Sequence, residues 1–439
     1  MVKRWIWVTA VVAGLVSAGV ALGRPAQFRL TDLSVYLGAV DGLAQGSSLY
    51  DFTRGAAPFT YPPFAALVFT PLTWAPTLVV QVAWTVATLG TVAALATLVM
   101  RDRRTGIPAL ATLVTRRRRT ASPAPASLVT RRRRTGIPAL ATLVTRHRTT
   151  GSAALVMRHR RTGGAAPTMR TTGIAGAVGV AALVLVVSAP VSSNLKYGQV
   201  SLFLAALCLA DLLVLRRTEW NGVLIGFAAA VKLTPLIFVP LLWFSGRRRA
   251  AVTAAVTFVG CGLIGALALP GDSWRFWAGE IFHVSRLGYI TGVGNQSLNG
   301  ALMRLDVPDH ARSVLVLAIG GGIAVAGLIR GARLAREDHW LGAAVVVGAA
   351  GVVLSPVSWT HHQVWLVPAA LLPVAGPAWV RLGWPATVLA VMVLPVTALE
   401  PLSESRLLLA IVVAALIPVH DGTRIRPHEK ALLYGETRR

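Results

Sequence analysis

One carboxylate stands apart by position. Asp32 lies in Thr31-Asp32-Leu33-Ser34-Val35-Tyr36, a few residues beyond an apolar run from Trp5 to Leu22. Acids are scarce here: 17 Asp and Glu stand against 43 Lys and Arg. A carboxylate beside a hydroxyl can take its proton as the oxygen attacks, the work of a general base. The other polar candidates are spread along the chain: Tyr61, Lys196, Tyr197, Gln199, Lys232, Asn295, Gln296, Arg304, His361 and His362. The cations and histidines among them suit a leaving group on which negative charge develops. Lys232 interrupts an apolar run from Gly222 to Phe244, where an ionisable side chain is expensive and functional by default. Each residue also has a plainer reading. Asp32 could pair with Arg24 or Arg29, Lys232 could snorkel or join a structural ion pair, and the histidines could be interfacial neighbours of Trp359. No spacing of His, Cys, Asp and Glu suggests a metal site, and no cofactor is expected.

The elements that hold these residues must be membrane helices. The chain has 439 residues, of which 54% are hydrophobic and 14% charged, with mean hydropathy +0.63. A soluble chain of this size carries far more surface charge. Several continuous apolar runs approach the roughly 20 residues that a spanning helix needs. They do not alternate as barrel strands would. The expected class is an all-α polytopic membrane protein. Cys208 and Cys261 both lie in apolar runs and read as small core residues, not a disulfide framework. The first run exceeds a usual signal core, so an uncleaved first helix is expected.

Residues 101–170 break the pattern. Copies with a 15-residue period begin at Leu98, Leu113, Leu128 and Leu143, and 101–170 hold 17 arginines and one acid, Asp102. Repeat expansion in a tolerant, disordered loop, contact with anionic lipid and nucleic-acid binding all fit such a segment. No aromatic residue interleaves with the arginines, which counts against nucleic acid. So many arginines mark a cytoplasmic loop by the positive-inside rule.

With both termini and that loop inside, the order of segments follows. Residues 1–100 hold the first span, an external stretch with Asp32, a short dip at Phe64 to Thr73, and an inward crossing at Thr77 to Val99. Residues 171–420 form the remaining core, with an external turn at 192–199, a re-entrant hairpin at 222–244, an external loop at 270–308 and a crossing at 363–379. Residues 421–439 are a basic cytoplasmic tail. The expectation is ten crossings plus two insertions, or about 10–12 membrane helices. The polar candidates other than Lys232 then gather at the outer face, where one pocket could hold them.

Six stretches make the reading narrower. They are Asp32-Leu33-Ser34-Val35-Tyr36, Phe59-Thr60-Tyr61-Pro62-Pro63-Phe64, Tyr197-Gly198-Gln199, Val231-Lys232-Leu233-Thr234-Pro235, Asn295-Gln296-Ser297, and Leu354 to His362 ending Trp359-Thr360-His361-His362. In this set and order the chain resembles the actinobacterial polyprenol-phosphate-mannose-dependent α-mannosyltransferases, glycosyltransferase family 87, which include mycobacterial phosphatidylinositol mannoside enzymes. The arginine insert resembles nothing in that pattern and falls between motifs. The resemblance implies a type C glycosyltransferase fold and polyprenyl phosphate mannose as the lipid donor. It implies a glycolipid or lipoglycan acceptor, a catalytic Asp32, and inversion from a β-linked donor to an α-mannoside. It places the protein in the cell membrane with its site on the outer face. A transporter or flippase is the rival; it would be favoured by an inverted repeat between halves, which the sequence lacks.

Overall fold

The computed structural model describes residues 2–55, 57–101, 166–283 and 288–419. The arginine repeat from 102 to 165 and the tail at 421–439 lie outside the described residues. The described residues from 2 to 101 and from 174 to 419 belong to one compact unit.

Apolar runs in a bilayer must satisfy their own backbone groups, so they wind into helices. In order these are α1 (Val2–Leu22), α2 (Thr31–Ala44), α3 (Pro63–Phe69), α4 (Thr77–Arg101), α5 (Ala166–Val187), α6 (Ala189–Tyr197), α7 (Ser201–Leu213), α8 (Val223–Val231), α9 (Phe238–Phe244), α10 (Arg248–Ala268), α11 (Pro270–Ala278), α12 (Leu298–Arg304), α13 (Asp309–Leu315), α14 (Gly321–Arg336), α15 (Trp340–Leu354), α16 (Ala378–Val393) and α17 (Ser405–Ile411). A two-stranded ribbon, Thr53–Arg54 with Ala57–Pro58, is the one sheet among the described residues.

Four segments are long and apolar enough to cross a membrane: Arg4–Leu22, Thr77–Arg101, Arg248–Ala268 and Asp309–Arg336. A fifth candidate is the pair α5–α6, bent by 62°. Their outer faces expose Val12, Leu15, Val86, Val256, Leu263 and Leu317, as lipid contact requires. α15 is the opposite case. Every residue from Trp340 to Ala350 is buried, so this helix is core, packed chiefly on α14. The protein is thus a multi-pass helical membrane protein. The larger expected count includes segments shorter than a full span, among them Trp340–Leu354, Ala378–Val393 and Ser405–Leu416.

Three local expectations are corrected. The turn expected at 192–199 is helical to Tyr197, because Ser188 is extended and Pro190 starts a new helix there. The crossing expected at 363–379 is a 3-10 helix, Thr360–Leu371, with Pro368 inside it. The external stretch after α1 is not open loop, since α2 fills it.

Two devices aim the polar residues. Gly198 has φ +67, and a Cβ there would lie 2.8 Å from the Cβ of Leu33 and 3.0 Å from that of Leu30. Only glycine lets the α6–α7 corner press against the start of α2, and that contact sets Gln199 beside Asp32. Asp211 on α7 is buried and accepts from the backbone N–H of Gly222 at 2.7 Å and of Ile225 at 2.9 Å, and from Asn221 Nδ2 at 2.8 Å. This carboxylate caps α8, whose other end delivers Lys232.

Candidate active site

Asp32 and Tyr36 stand four residues apart on α2 and therefore share a face. The Asp32 Oδ2 accepts from Gln199 Nε2 at 2.6 Å. The Gln199 Oε1 accepts from the Tyr36 hydroxyl at 2.8 Å, the Tyr61 hydroxyl at 2.8 Å and the Val200 N–H at 3.0 Å. Three donors on the carbonyl end fix the amide so that its NH2 faces the carboxylate. Tyr36 is held by stacking on Phe69 at 4.5 Å and by an edge contact with Tyr61 at 5.0 Å. Burial pushes the Asp32 carboxyl up to about 6, against the opposing pull of the Lys232 charge and the Gln199 hydrogen bond. A base tuned that way is ionised at neutral pH yet closer to the proton it must take.

Lys232 stands across Tyr61 from Asp32. Its Nζ is 2.8 Å from His362 Nε2, 3.3 Å from Ser201 Oγ and 3.5 Å from the Tyr61 hydroxyl. The ammonium also lies 5.2 Å from the centre of the Tyr61 ring, a cation–π distance. None of these three side chains is a carboxylate. The His362 Nδ1 accepts from the Trp359 N–H at 3.2 Å, and its Nε2 shares a hydrogen bond with Lys232 whose donor depends on the ring's tautomer. The lysine's hydrogen-bond partners are all neutral, so an anion's oxygen can join them in a charge-assisted contact. Behind the pair lies a cavity of about 50 Å³ lined by Ser201, Thr234, Phe238, Ser358 and Trp365. It has room for a few waters.

His361 packs perpendicular to His362 at 4.4 Å, with Tyr197 at 6.3 Å. Its Nε2 is buried without a hydrogen-bond partner, and its carbonyl accepts from Asn194 Nδ2 at 3.1 Å. Lys196 lies over the Tyr197 ring at 4.9 Å. The structure therefore joins Asp32, Gln199, Tyr61, Lys232 and His362 into one hydrogen-bonded cluster, with His361 and Tyr197 flanking it.

The remaining candidates form a separate corner. Arg304 grips Glu404 through Nε at 2.6 Å and Nη2 at 2.8 Å, and donates to the carbonyls of Gly292 and Asn295, both at 3.0 Å. Its fork is fully used. The Asn295 Oδ1 accepts from the Ser358 N–H at 2.8 Å. Gln296 donates to the Ser403 carbonyl at 2.7 Å and accepts from the Leu407 N–H at 3.0 Å. These residues brace the corner leading into Trp359 and the histidines. The plainer alternative, a pairing of Asp32 with Arg24 or Arg29, does not form among the described residues: Arg29 donates to the Arg24 carbonyl instead. Tyr36 and Ser201 were not singled out by sequence. The i, i+4 spacing of Asp32 and Tyr36 was the available signal for the first.

The site thus sets a carboxylate and a lysine close enough for their charges to interact within a helical membrane core. The chain belongs to Glycosyltransferase family 87, whose profile matches residues 59–129 and 138–356, a type C glycosyltransferase family, and it is a glycosyltransferase. It is 32% identical over 372 residues to the polyprenol-phosphate-mannose-dependent alpha-(1-2)-phosphatidylinositol mannoside mannosyltransferase of Mycobacterium tuberculosis (strain ATCC 25618 / H37Rv), covering 81% of this chain and 74% of that protein. It is 31% identical over 358 residues to a polyprenol-phosphate-mannose-dependent alpha-(1-2)-phosphatidylinositol pentamannoside mannosyltransferase of Mycolicibacterium smegmatis (strain ATCC 700084 / mc(2)155), covering 79% of this chain and 70% of that protein. A pentamannoside enzyme of Mycobacterium tuberculosis (strain CDC 1551 / Oshkosh) is 29% identical over 404 residues, 88% of this chain and 78% of its own. No solved structure matches the chain.

Proposed function

We propose that this enzyme moves mannose from polyprenyl phosphate mannose to a mannoside acceptor carried on a lipid or polymer. The donors named for its relatives and the polarity of the cluster both support that reading. Asp32 takes the proton of the acceptor hydroxyl. The hydroxyl oxygen bonds to the anomeric carbon as the carbon–oxygen bond to phosphate breaks, and the electron pair leaves with the phosphate. That leaving group is already acidic and needs charge stabilisation, not a proton. Lys232 and His362 supply it. One base suffices for such an inverting displacement, unlike the paired carboxylates of a glycosidase. A β-linked donor then gives an α-mannoside.

The observation that carries the proposal is Lys232, hydrogen-bonded to His362 at 2.8 Å and to the hydroxyls of Ser201 and Tyr61 with no carboxylate in contact among the described residues, and close enough to Asp32 for their charges to interact. The basic clusters at Arg216-Arg217 and Arg247-Arg248-Arg249 support an outer-face site with cytoplasmic termini. The test is transfer of radiolabelled mannose from polyprenyl phosphate mannose by protein in nanodiscs, with a panel of phosphatidylinositol mannosides and oligomannosides as acceptors. Transfer with inversion is expected. Failure with every mannoside acceptor would remove mannose transfer, and movement of intact donor across a vesicle bilayer without transfer would favour a flippase.

A further inference from the structure

A second polar concentration lies at the far end of the helices that build the site. α7 begins at Ser201, beside Lys232, and runs about 20 Å to the loop at Arg216. α8 returns from that loop to Lys232. Here the loop joining α7 to α8 and the loop joining α9 to α10 line an open concavity of about 470 Å³. Five arginines line it, Arg216, Arg217, Arg247, Arg248 and Arg249, with Glu219 the acid on its wall.

Two of the five are fastened and three are less committed. Arg216 binds Asp338 at 2.5 Å. Arg247 donates to the Arg216 carbonyl and lies 5.1 Å from the Trp340 ring, which ties the two loops together. Arg217 reaches Asp338 only at 3.9 Å, and Arg248 lies over the Trp243 ring at 5.5 Å. Counting Glu219 and Asp338 against five arginines leaves three positive charges around one concavity.

Its depth in the bilayer is set by its neighbours. α10, 21 residues starting at Arg248, is one of the membrane-length helices. At about 31 Å it matches the hydrocarbon core, so its first residues sit where headgroups begin. Trp220, Trp243 and Phe244 are exposed beside the cavity, and aromatic residues of this kind mark the interface between hydrocarbon and water. A scattered positive-inside cluster would need neither a shared concavity nor one arginine fixed on the backbone of another, as Arg247 is on Arg216.

From these observations we infer that the cavity binds the headgroup of an anionic phospholipid in the leaflet at this end of α7 and α8, opposite the transferase site. Arg216 and Arg247 shape it, while Arg217, Arg248 and Arg249 meet the phosphate. Native mass spectrometry of the full chain, released from phosphatidylcholine nanodiscs with a minor fraction of phosphatidylglycerol, tests this. Wild-type protein retains a phosphatidylglycerol molecule. A triple variant, Arg217→Gln with Arg248→Gln and Arg249→Gln, weakens retention about a hundredfold, from roughly fivefold per arginine near a lipid surface. A control triple, Arg101→Gln with Arg333→Gln and Arg381→Gln, removes the same charge elsewhere and keeps the lipid; thermal melting checks that both fold. Equal retention in wild type and the first triple overturns the inference. So does equal loss in both triples, which would mean diffuse surface charge. Displacement of phosphatidylglycerol by inorganic phosphate alone would make it a soluble-anion site and overturn the lipid assignment.

Discussion

Lys232 and Arg304 are both cations that the sequence offers as phosphate ligands, and the structure treats them in opposite ways. Arg304 is closed: a bidentate carboxylate and two carbonyls use its fork. Lys232 is open in charge: its three side-chain partners are neutral, two hydroxyls and an imidazole. A satisfied cation holds two chain segments together. One held only by neutral groups keeps its charge without a carboxylate in contact, at an energetic cost in an apolar setting, and that charge can still attract an anionic ligand. The same contrast separates acids: Glu404 is spent on Arg304, whereas Asp32 meets only an amide.

The sharpest way to break this comparison is to neutralise Asp32. Asp32→Asn should lower mannosyl transfer about 10³-fold, within the range for loss of a general base, with melting temperature unchanged; equal rates would return Asp32 to a structural role. Next comes the direct exchange of the two cations. Lys232→Met should cut kcat about 10²-fold, as for removal of a charge-stabilising donor. Arg304→Met should leave kcat per folded molecule within about threefold and cost roughly 1–3 kcal/mol of stability, the buried-pair value discounted for partial exposure. If Arg304→Met abolishes chemistry while melting normally, the division between open and closed cations is wrong.

A third measurement follows proton occupancy. Asp32 works only when ionised, so kcat/KM should rise with pH through one group near 6 and be lost as pH falls below it. Replacing Gln199 by Leu removes a hydrogen bond that favours the carboxylate, and the midpoint should move upward. The mildest change is Tyr36→Phe, expected to slow transfer by about fivefold, since it removes one of several donors holding Gln199.

How far the sequence could see follows from these same residues. Asp32 and Lys232 were legible because each is an ionisable group in an apolar context, a local property. His361 and His362 were legible as neighbours of a Trp in a motif. Arg304 misled because its partner, Glu404, stands 100 residues away, and no local pattern announces such a pairing. Tyr36 was hidden by reading the stretch after α1 as external loop; once α2 is a helix, its place one turn from Asp32 is automatic. The membrane class was plain in the apolar runs. The buried, span-shorter α15 and the 3-10 helix at Thr360–Leu371 were not, because hydropathy does not distinguish a helix facing lipid from one facing other helices.

The crowded carbonyl of Gln199 has a further consequence, for where protons can travel. A hydrogen-bonded chain conducts only if each member can accept a proton on one side while releasing one on the other. The amide nitrogen facing Asp32 has no lone pair to receive a proton, however the Tyr36 and Tyr61 hydroxyls, each 2.8 Å from the other and from the Gln199 oxygen, share their two hydrogens. The route from Asp32 toward Lys232 is therefore an insulator. On the proposed mechanism, each proton taken up at Asp32 therefore leaves by a route other than Gln199, so resetting the carboxylate after a turnover leaves the charge beside His362 undisturbed.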